Sequence, residues 1–121
     1  MEIIGITGSA ETSSVAEILS YDLGVEKVSL TDYLSKGLVK KLGSLKKEST
    51  KDYFIVEGPS LFCHKELFNL LDYKFYIVDK EANEESQKTM SGVVVLESPG
   101  KTIWYYRNQI LDNMKISLED L

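Results

Sequence analysis

Apolar and polar positions along this chain fall into two alternating kinds of segment. Four short segments are rich in apolar residues, which is typical of strands buried on both faces of a sheet, and residues 26–29 form a fifth, short strand candidate. These predicted strands are residues 2–7, 26–29, 52–56, 73–78 and 92–96. Between them, apolar residues recur three or four positions apart, which is the spacing of an amphipathic helix.

Local start and stop signals bound the first two predicted helices. The first follows Ser13 and Ser14 and ends at Gly24, a residue suited to a helix C-terminus. Thr31 is expected to cap the second helix, which should end at Gly43. Their predicted inner faces are Val15, Ala16, Ile18, Leu19 and Leu23 in the first helix, and Leu34, Leu38, Val39 and Leu42 in the second.

Three further helical segments follow. One begins near His64, and the polar segment 80–91 is expected to hold only a turn or two of exposed helix. Ser98-Pro99 is a good start for the last helix, because proline suits the first turn. Its predicted inner face is Ile103, Arg107, Ile110, Leu111 and Met114, with Tyr106 at the edge.

Strands that alternate with helices indicate a parallel sheet covered on both faces. The predicted fold is therefore a single three-layer α/β/α domain over residues 1–121, with a five-stranded, mainly parallel sheet. In such domains ligands bind beyond the carboxyl ends of the strands. The segments expected at that edge are 5–14, 29–32, 57–63, 79–81 and 97–100.

Composition narrows the function classes. The 121 residues include 14 Lys and Arg against 19 Asp and Glu, a net charge of −5 that works against binding nucleic acid or an anionic membrane. The start of the chain does not resemble a signal peptide, and no apolar run approaches the roughly 20 residues that span a bilayer. The single cysteine, Cys63, excludes an internal disulfide. We therefore expect a cytoplasmic domain.

The segment IIGITGSAETSSVAEIL (3–19) resembles the strand, loop and helix that open P-loop kinases. In that family a glycine-rich loop ends in Gly-Lys-Ser/Thr, backbone amides hold the phosphates, the lysine neutralises them and the hydroxyl holds magnesium. Matching the helix start at Val15 places Ser13 and Ser14 at the Ser/Thr positions. The lysine position then falls on Thr12 and the preceding glycine on Glu11, and the loop is about two residues short.

Other segments extend the resemblance over most of the chain. DYFIVEGPSLF (52–62) and ELFNLLDYKFYIVD (66–79) are similar to the middle of uridine-kinase-like and nucleotide-kinase proteins. Residues 28–42 and 92–111 resemble parts of phage-type deoxynucleoside monophosphate kinases. The resemblance implies a trimmed P-loop NTPase-like fold with strand order 2-3-1-4-5. It also implies an acid at Glu57 near the metal or the acceptor.

The departures from this family concern its catalytic groups. Lysine and glycine are missing from the loop, and the lid region 79–91 contains no arginine. The single arginine, Arg107, lies in the last predicted helix. Phosphoryl transfer depends on cations that stabilise the transferring oxygens. We therefore expect a non-catalytic or decayed member of the lineage that acts by protein contacts or by weak binding of an anion or nucleotide.

Two alternatives remain open. One is an active nucleoside or nucleoside monophosphate kinase with an unconventional phosphate loop, which would use ATP and magnesium. The other is a subunit whose site is completed by a partner protein. Self-association is a further expectation, because the sheet has open edges and the last helix is rich in aromatic residues.

The candidate site residues follow from the resemblance. The residues expected to bind a nucleotide or phosphate are Gly8, Ser9, Thr12, Ser13 and Ser14. Ser13 and Glu57 are the candidate metal ligands, and Glu57 is the candidate catalytic residue if the protein is active. Glu57 is expected at the mouth of the site and outside the core. The competing hypothesis for the loop is a tight turn in which Thr12 or Ser13 caps the helix.

Other candidate constellations are weaker. Cys63-His64 is the only adjacent nucleophile and base, and no third residue is evident to orient the pair. Four acids near strand ends could converge on a cation, although solvated side chains are the favoured explanation. These acids are Asp32, Glu57, Asp79 and Glu81.

Two surface features are compatible with partner binding. Trp104 and Tyr105 would mark a contact surface if they faced outward. A lysine-rich stretch in this acidic chain is explained most simply as a solvated helix face and loop. Its residues are Lys36, Lys40, Lys41, Lys46 and Lys47.

Overall fold

Five parallel strands form the centre of the computed structural model, which describes residues 1–78, 85–97 and 102–121. The strands are β1 (Glu2–Gly8), β2 (Lys27–Ser29), β3 (Tyr53–Glu57), β4 (Tyr73–Ile77) and β5 (Val93–Leu96). Their order across the sheet is β2-β3-β1-β4-β5, and each neighbouring pair is parallel. The predicted strand order is therefore confirmed, with β1 at the centre and β2 and β5 at the edges.

Helices cover both faces of this sheet. They are α1 (Thr12–Leu23), α2 (Ser35–Glu48), α3 (Lys65–Leu70), α4 (Glu85–Lys88) and α5 (Ile103–Asn113). Alternate residues of each strand point to opposite faces. Ile4 and Ile6 of β1 pack with α1 and α5, whereas Ile3 packs with α2 and α3. The three-layer α/β/α architecture is thus confirmed. None of the helices in the described ranges has the length and apolarity to cross a bilayer.

The boundaries of α2 differ from the prediction at both ends. Thr31 does not cap it, because Thr31 lies in a short 3₁₀ helix (Leu30–Asp32) that is capped by Ser29. The Ser29 hydroxyl oxygen accepts the backbone N–H of Thr31 at 3.2 Å. At the other end α2 continues past Gly43 to Glu48, and Leu45 still packs against the core there. Packing of an apolar face therefore outweighs the low helix propensity of one glycine.

Two side chains near β5 lie deeper than predicted. Gln87 of α4 is buried, although this segment was expected to be exposed, and its Oε1 accepts the backbone N–H of Phe62 at 3.2 Å. Tyr106 of α5 is buried in the core and not at its edge. The predicted helix start at Ser98-Pro99 and residues 80–84 of the polar segment lie outside the described residues.

Gly8 at the end of β1 gives a direct test of this backbone geometry. Its φ is +121°, and an added Cβ would lie 2.0 Å from the backbone oxygen of Ile77. Gly8→Ala should therefore lower the free energy of unfolding by more than about 3 kcal/mol. The matched control is Gly43→Ala in the middle of α2, where an added Cβ meets no atom within 4 Å. It should stabilise the protein by roughly 0.5–1 kcal/mol. Urea denaturation of both variants checks the pair, and equal effects would contradict it.

Candidate functional site

The connection between β1 and α1 is only three residues long, Ser9–Glu11. At its start, the Ser9 backbone N–H donates to the backbone oxygen of Ile77 at 2.9 Å. This bond requires the close approach that only glycine allows at position 8. The loop therefore bends sharply against β4 and has no length left to surround a phosphate chain.

Hydrogen bonds within the loop use the polar groups that could otherwise face a ligand. The Ser9 hydroxyl donates to Glu11 Oε2 at 2.6 Å and accepts the Glu11 backbone N–H at 3.2 Å. The Thr12 backbone N–H donates to the Ser9 backbone oxygen at 3.1 Å. The short loop is thus a closed turn, with a carboxylate where the resemblance places a glycine.

The first turn of α1 retains some unpaired donors. Its N-cap residue is Glu11, whose side chain makes no capping bond, so the predicted capping by Thr12 or Ser13 is wrong. Within the described residues, no acceptor lies within hydrogen-bond distance of the Ser13 or Ser14 backbone N–H. Both residues are exposed. Thr12 is only 5% exposed, and its hydroxyl oxygen has no hydrogen-bond partner. The backbone N–H groups of Ser13 and Ser14 are therefore available to an anion, as such groups commonly are at a helix N-terminus.

Glu57 is the last residue of β3 and is only 5% exposed. It is therefore more deeply buried than expected for a residue at the mouth of a site, although it belongs to neither hydrophobic core cluster. It pairs with Ile6 of β1 on one side and Ser29 of β2 on the other, so neighbouring strands enclose it. Nevertheless it lines the cleft at this edge of the sheet. Its carboxylate makes no hydrogen bond or ion pair within the described part of the chain.

The chain is tightly packed where it leaves Glu57. Gly58 has a φ of +152°, and an added Cβ would lie 2.7 Å from Leu30 Cβ. The Thr7 hydroxyl donates to the Gly58 backbone oxygen at 2.6 Å. These contacts fix the end of β3 against β1 and against the residues that follow β2. They hold the backbone at Glu57 in place, whereas its carboxylate has no partner among the described residues.

These elements enclose a cleft of about 340 Å³ at the carboxyl ends of β1, β2 and β3. Its lining residues are Gly8, Ser9, Ala10, Thr12, Ser13, Ser29, Thr31, Glu57, Gly58 and Pro59. Four of the five predicted nucleotide-binding residues are among them, and the exposed Ser14 is not. Five lining residues carry hydroxyl groups and one carries a carboxylate. No lysine or arginine from the described residues lines the cleft.

The structure brings both predicted metal ligands, Ser13 and Glu57, to this cleft. It does not gather the wider set of acids. Asp32 is exposed in the 3₁₀ helix after β2, while Asp79 and Glu81 lie outside the described residues. In the described ranges no three His, Cys, Asp or Glu residues are grouped closely enough to hold a metal ion. One carboxylate and one hydroxyl leave most positions around a magnesium ion to water or to a ligand.

Two further residues at this edge contribute to the cleft. Ser29 and Thr31 both line it, and their hydroxyl oxygens lie 2.7 Å apart. Segment 29–32 was predicted at the correct edge, but Thr31 was predicted to cap a helix. The signal was available, because a Ser-x-Thr pair directly after a strand is typical of a turn closed by side-chain hydroxyl groups.

Cys63 and His64 do not form a nucleophile and base pair. The exposed Cys63 ends a 3₁₀ helix, and His64 precedes α3. No hydrogen bond joins their side chains. His64 instead lines a separate groove of about 220 Å³ together with Val39 of α2 and Leu67 of α3. The two side chains are therefore not arranged as a catalytic pair.

The only arginine of the chain, Arg107, makes its contacts outside the cleft. Arg107 of α5 forms an ion pair with Asp22 of α1, and its guanidinium lies 5.1 Å from the centre of the Trp104 ring. It does not line the cleft. Trp104 and Tyr105 are 57% and 42% exposed. Both side chains therefore face outward, which is the arrangement expected of an aromatic contact surface.

The lysines of α2 divide into paired and unpaired groups. Lys46 binds Asp72 at 2.8 Å, and the same Asp72 carboxylate oxygen accepts the Ile3 backbone N–H at 2.7 Å. Lys41 donates to the Tyr33 hydroxyl oxygen at 3.2 Å. The remaining lysines on this helix are exposed, as expected for a solvated face: Lys36, Lys40 and Lys47.

A larger cleft, of about 520 Å³, opens at the opposite edge of the sheet, where the strands begin. Tyr53, Lys51 and Lys115 are among its lining residues. Burial raises the pKa of Tyr53, and the carboxylates of Glu2 and Asp52 raise it further. The phenol therefore stays protonated at neutral pH. This cleft contains none of the predicted site residues.

Comparisons with known proteins add no assignment to this geometry. No protein-family model matches the chain, and no curated protein is significantly similar to it.

Proposed function

We propose that this protein is a non-catalytic member of the P-loop nucleotide-kinase lineage that acts through contacts with other proteins. Support for the lineage comes from the parallel sheet of order β2-β3-β1-β4-β5 and from a cleft formed where β1 leads into α1. Support for the loss of catalysis comes from the chemistry of that cleft.

The observation that carries the proposal is the charge of the cleft. Its described lining has no cationic side chain, and the Glu57 carboxylate has no partner there. Two like charges 4 Å apart repel by about 4 kcal/mol near a protein surface. A polyphosphate placed on the α1 N-terminus would meet this repulsion, and no lysine of the described lining would offset it. Phosphoryl transfer needs the opposite arrangement.

The exposed aromatic residues support action by protein contacts. Trp104 and Tyr105 are exposed in the first turn of α5, and the Arg107 guanidinium lies 5.1 Å from the centre of the Trp104 ring. Tryptophan, tyrosine and arginine are the side chains that contribute most often to binding hot spots. A partner could also complete the cleft by supplying the missing cation, which is the alternative of a shared site.

Weak binding of a small anion is a second candidate, favoured by the unpaired backbone N–H groups of Ser13 and Ser14. A helix N-terminus attracts an anion through these groups and through the helix dipole. The nearby Glu11 and Glu57 carboxylates limit this attraction. We therefore assign any such binding to a single phosphate and not to a nucleoside triphosphate.

Titration calorimetry tests the absence of a nucleotide site. ATP with magnesium should show no binding tighter than about 1 mM, because the described cleft offers no cation for the phosphates. A matched titration with inorganic phosphate tests whether the α1 N-terminus binds a single phosphate. Micromolar binding of ATP that depends on magnesium would favour the kinase alternative and overturn the proposal.

Glu57→Gln separates the non-catalytic and kinase alternatives. Removal of this largely buried charge, which has no partner among the described residues, should raise the free energy of unfolding by up to about 1 kcal/mol and strengthen the binding of phosphate. The control is Glu17→Gln on the exposed face of α1, which should change neither quantity. Thermal denaturation with and without phosphate provides both readouts. Loss of magnesium-dependent ATP binding in Glu57→Gln would instead identify Glu57 as part of a working site.

Repair of the loop tests whether its length or its charge prevents nucleotide binding. Replacing Glu11-Thr12 by Gly-Lys should not create tight ATP binding, because the loop has only three residues and position 12 is buried. Adding two glycines to the loop as well should raise the affinity measurably. Ser14→Lys controls for the added positive charge at an exposed position. Tight binding by the double substitution alone would show that the match to the P-loop pattern is misplaced.

A further inference from the structure

The open edge of β5 is distinct from the candidate site. β5 (Val93–Leu96) pairs with β4 on one side and forms the outer edge of the sheet on the other. Its four residues are all aliphatic and include none of the charged or proline residues that usually protect an edge strand. Such an edge can pair with another strand.

The pairing pattern shows which backbone groups face outward. The Val78 backbone N–H donates to the Leu96 backbone oxygen at 3.0 Å, so Leu96 faces β4. Because the direction alternates along a strand, Val94 also faces β4, whereas the N–H and C=O of Val95 face away from it. Neither group has a hydrogen-bond partner in the described residues, and Val95 is 40% exposed.

We propose that a second copy of this chain pairs with this edge, with the two β5 strands antiparallel about a two-fold axis at Val95. The Val95 residues of the two copies then exchange both N–H···O=C bonds, and the two sheets become one of ten strands. The same surface is used by both copies, as two-fold symmetry requires. In this register, Val93 of one copy lies opposite Glu97 of the other.

Charge complementarity identifies a second copy as the occupant. Lys74 of β4 is the direct neighbour of Val93, so their side chains share a face of the sheet. The Lys74 ammonium lies near Gly92, at 3.6 Å from where a Cβ on that residue would be. It thus extends over the start of β5, towards the open edge. The other copy's Glu97 would arrive on the same face, and symmetry makes this contact twice.

The Lys74–Glu97 contact can form only between copies. Within one chain, Glu97 lies four residues beyond Val93, the neighbour of Lys74, which is about 13 Å along the strand. Glu97 is exposed and forms no ion pair with any described residue. Because the contact area of one strand edge is small, we expect a weak dimer whose population rises with protein concentration.

Sedimentation of charge-reversed variants tests this dimer. Lys74→Glu and Glu97→Lys each place two like-charged pairs across the interface, so each alone should dimerise at least about tenfold more weakly than the unmodified protein. An equimolar mixture of the two variants should recover dimerisation, because every contact in the mixed dimer joins a lysine to a glutamate. Lys40→Glu and Glu17→Lys are the matched controls, since both residues are exposed on helices, and both should leave the Kd unchanged.

A further variant provides a test that does not depend on Lys74, whose ammonium also contacts the Phe68 ring. Val95→Lys places two ammonium groups at the two-fold axis and should abolish the dimer while the circular dichroism spectrum stays unchanged. A protein that remains monomeric up to about 1 mM would overturn the proposal. So would a mixture that fails to recover dimerisation, or a dimer that Trp104→Ala disrupts and the charge reversals do not.

Discussion

The close contact between Gly8 and the backbone oxygen of Ile77 determines how the chain leaves the central strand. An added Cβ at position 8 would overlap that oxygen, and the next backbone N–H donates to it at 2.9 Å. The chain therefore turns at once and starts α1 after three residues. A longer loop would be needed to surround a phosphate chain with backbone amides. The same contact that anchors β1 to β4 thus leaves only the first turn of α1 open to a ligand.

Enclosure by neighbouring strands has a comparable effect on Glu57. Its strand lies inside the sheet, so the carboxylate at its end is flanked by β1 and β2. It faces a cleft whose other polar groups are hydroxyls, several of which bond to one another or to the loop. A negative charge with no partner among the described residues disfavours anions in the cleft. The cleft therefore lies at the edge where ligands bind in such sheets, but its described lining carries only a negative charge.

The edge strand β5 differs from the inner strands of the sheet. The inner strands are covered by helices on both faces, whereas β5 exposes backbone groups of Val95 to solvent. The cleft and this edge are separate surfaces, so the proposed pairing through β5 does not involve the residues that line the cleft. Trp104 and Tyr105 are exposed on α5, which packs on a face of the sheet. They are therefore a surface separate from the β5 edge.

The fold was predictable from the sequence because its signals are local. Short apolar segments and helical periodicity gave five strands, the helices between them and the three layers, and the strand order followed from a family resemblance. Gly24 was correctly identified as the end of α1, where it adopts a left-handed conformation. The Gly43 prediction failed because apolar residues beyond the glycine continue to pack on the core, and a local signal does not report such packing.

The candidate site was predictable from the sequence only in part. The sequence by itself determined that the loop lacks a lysine and carries Glu11, since identity and spacing are sufficient for that conclusion. Only the tertiary structure decided that Glu57 is enclosed, because its burial comes from strands that are distant in sequence. It also decided that Arg107 is bound to Asp22 and that Ser29 joins the cleft. Burial and charge pairing arise from long-range contacts, and these form only when the whole sheet assembles.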